Sequence, residues 1–551
     1  MTLDTLALRS QSKSAYWQYL LHVLVLLLVL WPLIFITFPP FLDYYSHLAR
    51  VHITSNIDDF SEFYAITKTI PPNVAFDVIT KAFLKIASIE TAGWLFLVSL
   101  IVVQATGIWI LNRKLQGRQV VPVGPIIGCA ILYNSVLTMG FLSYLFGLGL
   151  MLWMIWFWLL VRERSWWVTL ALGSGATVLL YFAHIVVLGL YAIIIVGYEL
   201  QQMLQDHQKS VRERSYVFIK SGLPFLVPTL LYITSFHGDT HLVQYSQHFF
   251  LGKLYAVVGT LNSGSSPVIL SIAGLAILAT LALTLGRLRF STGMVLPIAL
   301  LTLLFLGAPT TFAGGRYFDE RLALPIVLLV CASVRVDFPS HGRTIIVMGA
   351  LVAFLAIRGI GLSRDFMQFD AEVQQSLRLF NKIEPRSVVA VAIDATHPEY
   401  SWSARGRANW HVASLAALHA PIFVATTHAQ PSQHTMVLKG APFTDLYAWQ
   451  KEIPIEVMSG EQLNNAVSRY REISQRKPDS GEASARRFYM LLLMPYTLTE
   501  AAEAQGVIIG KTKWFILLQI NPNGADQTSK QLRPELPHLG RFGTLTSEAY
   551  R

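Results

Sequence analysis

The segment Phe41-Leu42-Asp43-Tyr44-Tyr45-Ser46-His47-Leu48-Ala49-Arg50 sets a carboxylate, an imidazole and a guanidinium at positions i, i+4 and i+7. If the segment is helical, that spacing places all three on one face. An acid and an imidazole beside a fixed cation suit proton abstraction from a hydroxyl. The competing role for Asp43 is a helix cap, since a carboxylate just before a helical stretch accepts from free backbone N–H groups. A second concentration of charge is Gly315-Arg316-Tyr317-Phe318-Asp319-Glu320-Arg321, four charged side chains between two apolar runs. Charge so close to hydrocarbon is costly unless it faces water or a polar cavity. A phosphate or sugar site built on Arg316 and Arg321 is one reading, and an internal Arg–carboxylate network is the other. Lys68 and Lys253 are further cations in the expected outer loops, and His184 is a lone polar group at the end of an apolar run. His184 is either a site residue or a hydrogen-bonded structural histidine. Asp58 and Asp59 form an adjacent acidic pair that could hold a divalent cation such as Mg or Mn, or serve only as a solvated turn.

The elements that must position these groups follow from composition. Hydrophobic residues make up 53% of the 551 and charged residues only 14%, against roughly a quarter charged in soluble chains. A soluble metabolic enzyme is excluded. About 20 apolar residues cross a bilayer core, and eleven such runs occur, near 17–38, 91–112, 120–138, 141–161, 166–182, 183–200, 217–236, 267–286, 292–311, 321–337 and 344–361. The fifth and sixth are separated at His184, because together they exceed one crossing. The first run has no small-residue cleavage site behind it and reads as an anchor. Cys129 and Cys331 both lie inside apolar runs, where no disulfide framework is expected.

Lys and Arg cluster in alternate loops: Arg113, Lys114 and Arg118; Arg162 and Arg164; Lys209, Arg212 and Arg214; Arg287 and Arg289; Arg335 and Arg343. Cationic loops are retained in the cytoplasm, so the N-terminus is expected there and the C-terminus outside. The formal charge of +10 is on this reading a topology signal and no mark of nucleic acid. The expected fold is a mainly α, polytopic membrane helix bundle with a C-terminal extracytoplasmic α/β domain. Residues 1–363 would form the membrane domain, with a long first outer loop over 39–90, and 364–551 the soluble domain.

Within the soluble part, 387–393, 421–425, 488–494 and 514–520 read as short buried strands. Stretches near 369–382, 408–419 and 460–471 read as helices. A second amphipathic helix is expected over 71–88 of the first outer loop, lying along the membrane surface.

This plan resembles the GT-C superfamily of integral-membrane glycosyltransferases. The resemblance is carried by the many spans, the long first outer loop with interfacial helices, the C-terminal outer domain, and the acidic residue just past the first span followed by an aromatic and a His, here Asp43, Tyr44 and His47. Tyr44 stands where the commoner form of that motif has a second acid. The resemblance implies transfer of a sugar from a polyprenyl-phosphate donor to an extracytoplasmic glycan, lipid or protein, in a multi-pass inner-membrane protein. It implies Asp43 as general base with His47 beside it. Arg50, Lys68, His184, Arg316 and Arg321 are then candidates for the lipid phosphate, and Asp58 and Asp59 for a metal.

Strand ends in α/β domains present loops to ligands, so Phe423 to His428 and the Gln430-Pro431 turn are the expected acceptor contact of the outer domain, with donor chemistry left to the membrane loops. Two rival classes are a transporter or flippase for lipid-linked saccharides and a noncatalytic partner in polysaccharide export. The first predicts internal repeats and charges deep in several spans, of which the sequence offers little. The chain carries no P-loop, HExxH or GxSxG pattern, which removes support for ATP-driven transport.

Overall fold

The computed structural model describes residues 3–68, 71–117, 121–206, 210–235, 243–263, 268–312, 315–398, 400, 408–429, 434–476 and 486–520. Helix occupies part of each of the eleven apolar runs among the described residues, though the run near 321–337 ends in a strand over Val334–Asp337 and the one near 120–138 is split in two. Among the described residues, six helices are long and apolar enough to cross a bilayer: Ile89–Gln116, Leu142–Val161, Trp166–Ala183, Ile185–Gln205, Val211–Thr234 and His341–Phe380. Among the described residues, shorter apolar helices cover Trp17–Leu33, Val123–Thr138, Phe249–Gly259, Leu270–Leu285 and Thr292–Gly307. Phe249–Gly259 was not among the expected runs. The separation at His184 is present: one helix ends at Ala183, the next begins at Ile185, and His184 Nδ1 accepts the Val186 N–H at 3.2 Å.

The first outer loop folds as a helix over Tyr44–Ser55, strand β1 over Tyr64–Ile66 and a helix over Ala75–Leu84. The later helix is amphipathic, with Phe76 buried while Val78 faces outward, as does Ile86 just past its end. Exposed apolar side chains of that kind suit a helix lying against lipid.

The expected boundary at 363 falls inside a single helix, His341–Phe380, of 40 residues. Phe366, Phe369, Val373, Ser376, Leu379 and Phe380 continue its buried stripe at helical spacing beyond the apolar run. This helix leads into the outer domain.

That domain is a mixed sheet in the order β11 (Val507–Lys511), β12 (Phe515–Ile520), β10 (Phe488–Leu493), β6 (Val388–Asp394), β7 (Phe423–Val424). β9 (Ile455–Val457) pairs β6 as well. β6 is parallel to β10, β7 and β9, whereas β12 is antiparallel to β10 and β11. Every residue of β6 and β10 is buried, which is why both read as unbroken apolar runs. The expected helix at 408–419 is a 3-10 helix over Val412–Leu418, and the one at 460–471 spans Gly460–Ser474.

The first outer loop and the outer domain are stitched together. β1 pairs antiparallel with β8 (Met436–Leu438), matching Tyr64 with Leu438 and Ile66 with Met436. Arg486 Nε lies 2.7 Å from Glu62 Oε1, and the ring of Tyr64 stacks on Phe423 at 5.8 Å. At the opposite end of the bundle, β3 (Arg287–Phe290) pairs with β5 (Val334–Asp337) in the basic loops, where Asp337 takes both Arg289 and Arg335.

Candidate active site

A cavity of about 610 Å³ opens where the outer domain meets the ends of the membrane helices. Asp43, His47, Arg50, His184, Arg316 and Arg321 all line it. The six were drawn from three separate stretches of sequence and meet because those stretches are loops at one end of the bundle. Lys68, Asp58 and Asp59 do not line the cavity. All three are exposed, the aspartates in the turn after Tyr44–Ser55. Lys253 is also spoken for: its Nζ donates to Asp319 Oδ2 at 3.2 Å and to the Ala308 carbonyl at 2.6 Å.

Asp43 stands at the N-terminal boundary of Tyr44–Ser55 yet makes no side-chain capping bond. Its carboxylate is therefore not consumed by the helix end. Its backbone is held from outside: Leu42 N–H donates to Thr138 O at 2.8 Å and Asp43 N–H to Met139 O at 3.3 Å. The supporting turn ends at Gly140, whose φ is +82°, and a Cβ there would lie 2.5 Å from the Asp43 nitrogen. Only glycine allows that approach.

The outer domain supplies His411 and Glu452, which the sequence did not mark, and His428, marked only as the end of the expected contact loop. His411 Nε2 is 3.4 Å and His428 Nε2 3.6 Å from Asp43 Oδ1. The His428 backbone N–H donates to Ser46 Oγ at 2.7 Å, fixing this loop to the Asp43 helix. On the far side of the ring, His428 Nδ1 is 3.2 Å from Glu452 Oε2, and the Tyr447 hydroxyl donates to Glu452. Burial disfavours the charged form of His428, but Glu452 and Asp43 outweigh it and push its pKa up to about 9. Burial likewise opposes ionisation of Glu452, and His428 reverses this to hold it down at about 2. His411 has no such partner on its other nitrogen, and burial followed by repulsion from His428 lowers it to about 4. The expected contact loop thus enters the site through His428, while Gln430 and Pro431 lie outside the described residues.

The chemistry of this donor set fits a metal. His411 Nδ1 bonds the Thr426 carbonyl at 3.0 Å, and since a carbonyl can only accept, that nitrogen carries the hydrogen. Its Nε2 is then a bare lone pair aimed at a carboxylate oxygen, an arrangement that calls for a cation between the two. Asp43, His411 and His428 offer one ligand atom each, all within 4.8 Å of one another, and an ion there would have to displace the proton that Asp43 and Glu452 hold on His428. Each imidazole is backed on its second nitrogen, by a carbonyl or by a carboxylate, the outer support usual for metal-bound histidines.

Around this centre lie two arginine sites, Arg321 with Arg316 on one side and Arg50 on the other. On the membrane side the Arg321 guanidinium sits 3.8 Å over the Phe141 ring, Arg321 Nη2 donates to the Arg316 carbonyl at 3.1 Å, and the Tyr144 hydroxyl donates to the Arg321 carbonyl. Asp319 pairs with Lys253, a cation from outside the loop. On the other side Arg50 donates through Nε and Nη2 to Asp77 at 3.3 and 2.8 Å. His47 lies beside it, its ring 5.5 Å from that of His428, and burial foremost, then Arg50, holds its pKa well below the usual range. Trp410, Tyr317 and Tyr447 add aromatic surface to the same cavity, suited to packing against a sugar ring.

No family model matches the chain, and no curated protein matches it. Among solved structures it is similar to ArnT from Cupriavidus metallidurans in the apo state, at 10% identity over 93% of this chain and 99% of that one, with a TM-score of 0.50. The same enzyme bound to undecaprenyl phosphate matches at 9% identity over 92% of this chain and 98% of that one, also at 0.50. The apolar helices and this shared fold describe a multi-pass membrane protein with an ArnT-like arrangement of helices and outer domain.

Proposed function

We infer that the chain is a membrane glycosyltransferase that moves a sugar from a polyprenyl-phosphate donor to an extracytoplasmic acceptor, with Asp43 as the general base. The observation that carries this reading is the position of Asp43. Its carboxylate is unused by the helix it precedes, lines a cavity at the end of the bundle, and has Arg321 on one side and histidines on the other. The ArnT relationship supports a lipid-linked donor, since one of those structures holds undecaprenyl phosphate.

In the reaction the acceptor oxygen attacks the anomeric carbon while its proton passes to the Asp43 carboxylate. The bond from that carbon to the phosphate oxygen breaks, and the departing polyprenyl phosphate keeps the electron pair with inversion at carbon. Arg321 and Arg316 would meet the charge that grows on the leaving phosphate. The basic loops gather at the opposite end of the bundle from the cavity, which supports placing the outer domain outside the cytoplasm. Asp43→Asn keeps shape and hydrogen bonding while removing basicity. Transfer from a polyprenyl-phosphate sugar should fall by about two to four orders of magnitude, and near-normal transfer by a folded D43N protein removes Asp43 from the mechanism.

A second reading of the same carboxylate is favoured by the facing lone pair of His411. Asp43, His411 and His428 would hold a divalent cation, which when bound supplies Lewis acidity beside the leaving phosphate. Two imidazoles and one carboxylate suit Zn or Mn better than Mg. Elemental analysis of the purified protein should then find about one such metal per chain, lost in His411→Asn. Metal-free protein with full transfer leaves Asp43 with the base role alone.

A further inference from the structure

Arg321 and Arg50 set two poles around Asp43, and in each a buried guanidinium nitrogen, Arg321 Nε and Arg50 Nη1, has no hydrogen-bond partner. The Arg321 pole stands on the first turn of Phe318–Ser333, a largely apolar helix of the bundle. The other pole is walled by the Tyr44–Ser55 helix and by His434 of the outer domain. Three nitrogens of this second pole, Arg50 Nη1, His47 Nδ1 and His434 Nδ1, are buried without a hydrogen-bond partner. Arg50 is 3% exposed, and all three residues line the cavity. The ring of His434 stacks on His428 at 6.0 Å.

Unmet buried polar atoms are destabilising, so three of them converging in one cavity mark a place where a ligand completes the bonding. Asp77 takes the Nε and Nη2 edge of Arg50 and fixes its plane. The remaining Nη1 is presented inward as half of a fork that matches phosphate or carboxylate oxygens.

We propose that Arg50, His47 and His434 form an anion subsite for the acceptor, separate from the Arg321 pole that takes the lipid phosphate, so that the acceptor carries a phosphate or carboxylate near its attacking hydroxyl. This rests on the transferase reading and deepens it. Inverting displacement sets acceptor and leaving group on opposite faces of the transferred sugar. Asp43 lies between the poles, with His428 reaching it from the second, as that geometry requires.

The test measures binding to the full chain in lipid nanodiscs, with undecaprenyl phosphate, glucose 1-phosphate, glucuronate and methyl glucoside as probes. An anionic saccharide should bind together with undecaprenyl phosphate, and methyl glucoside should bind about tenfold or more weakly. The ratio between glucose 1-phosphate and glucuronate identifies which anion is preferred. His434→Asn and Arg50→Gln should each weaken the anionic saccharide about tenfold or more while leaving undecaprenyl phosphate within about twofold, and Arg321→Gln should do the reverse. H434N keeps the test usable if R50Q, which frees Asp77, fails to fold. Competition between the two anions, equal binding of methyl glucoside, or unchanged affinity in H434N overturns the subsite. Failure of undecaprenyl phosphate to bind at all would instead strike the transferase reading itself.

Discussion

The membrane-side wall and the outer-domain wall of the cavity hold their chemistry in different ways. On the membrane side, side chains sit at helix starts whose backbones are clamped by other loops: Asp43 by the turn ending at Gly140, and Arg321 by Phe141 and Tyr144. On the outer side, groups sit on loops and are aimed by chains of side-chain contacts, Tyr447 to Glu452 to His428. The first kind of positioning fails when backbone shape changes. The second fails when one partner in a polar chain is removed, and it can do so with the fold intact.

That contrast can be broken experimentally. Asp43→Asn gives the largest expected loss, the two to four orders of magnitude already described. Gly140→Ala tests the clamp: its new Cβ must displace Asp43, and a shift near 1 Å at a reacting group costs about 10²-fold in rate. Steady-state transfer by G140A close to wild type would show that the turn does not position the carboxylate. Glu452→Gln tests the polar chain. It should lower metal affinity at His428 about 10- to 100-fold, read by chelator competition, with the unfolding midpoint little changed; equal metal retention would make Glu452 a packing residue. The smallest effect is expected from Arg486→Gln, which removes the ion pair between outer domain and first loop. A partly exposed pair of this kind contributes about 1 kcal/mol, a shift of a few degrees in thermal unfolding, with transfer unchanged. A collapse of transfer in R486Q would mean that the two walls are held in register mainly from this edge.

The two walls were also unequally legible in sequence. Asp43, His47 and Arg50 could be grouped because helical spacing is a local signal, and the helix is there. Arg316, Arg321 and His184 could be suspected because polar groups stand out against apolar runs. His411, His428, His434 and Glu452 carry no such signal. They are brought together by parallel pairing of β6 with β7 and by the β1–β8 match across some 370 positions, contacts that leave no period in the chain. His411 and His428 precede and follow a short buried strand, and only that placement hinted at a site. The boundary at 363 was misleading for another reason: hydropathy drops there, while the 3–4 residue spacing of Phe366, Phe369 and Val373 carries the helix on.

The unbroken helix His341–Phe380 has a mechanical consequence. Forty residues at 1.5 Å each make a rod of about 60 Å, roughly twice the hydrocarbon thickness. It has no joint at the bilayer surface. The upper half is a mast carrying the sheet, and the lower half is its footing among the lipids. A tilt of about 10° in the footing would swing a point 30 Å up the mast by about 5 Å, a displacement that the β1–β8 pairing and the Ser46–His428 hydrogen bond must resist or follow. Bilayer thickness, one influence on the tilt of long helices, would thereby load those contacts between the two walls of the cavity.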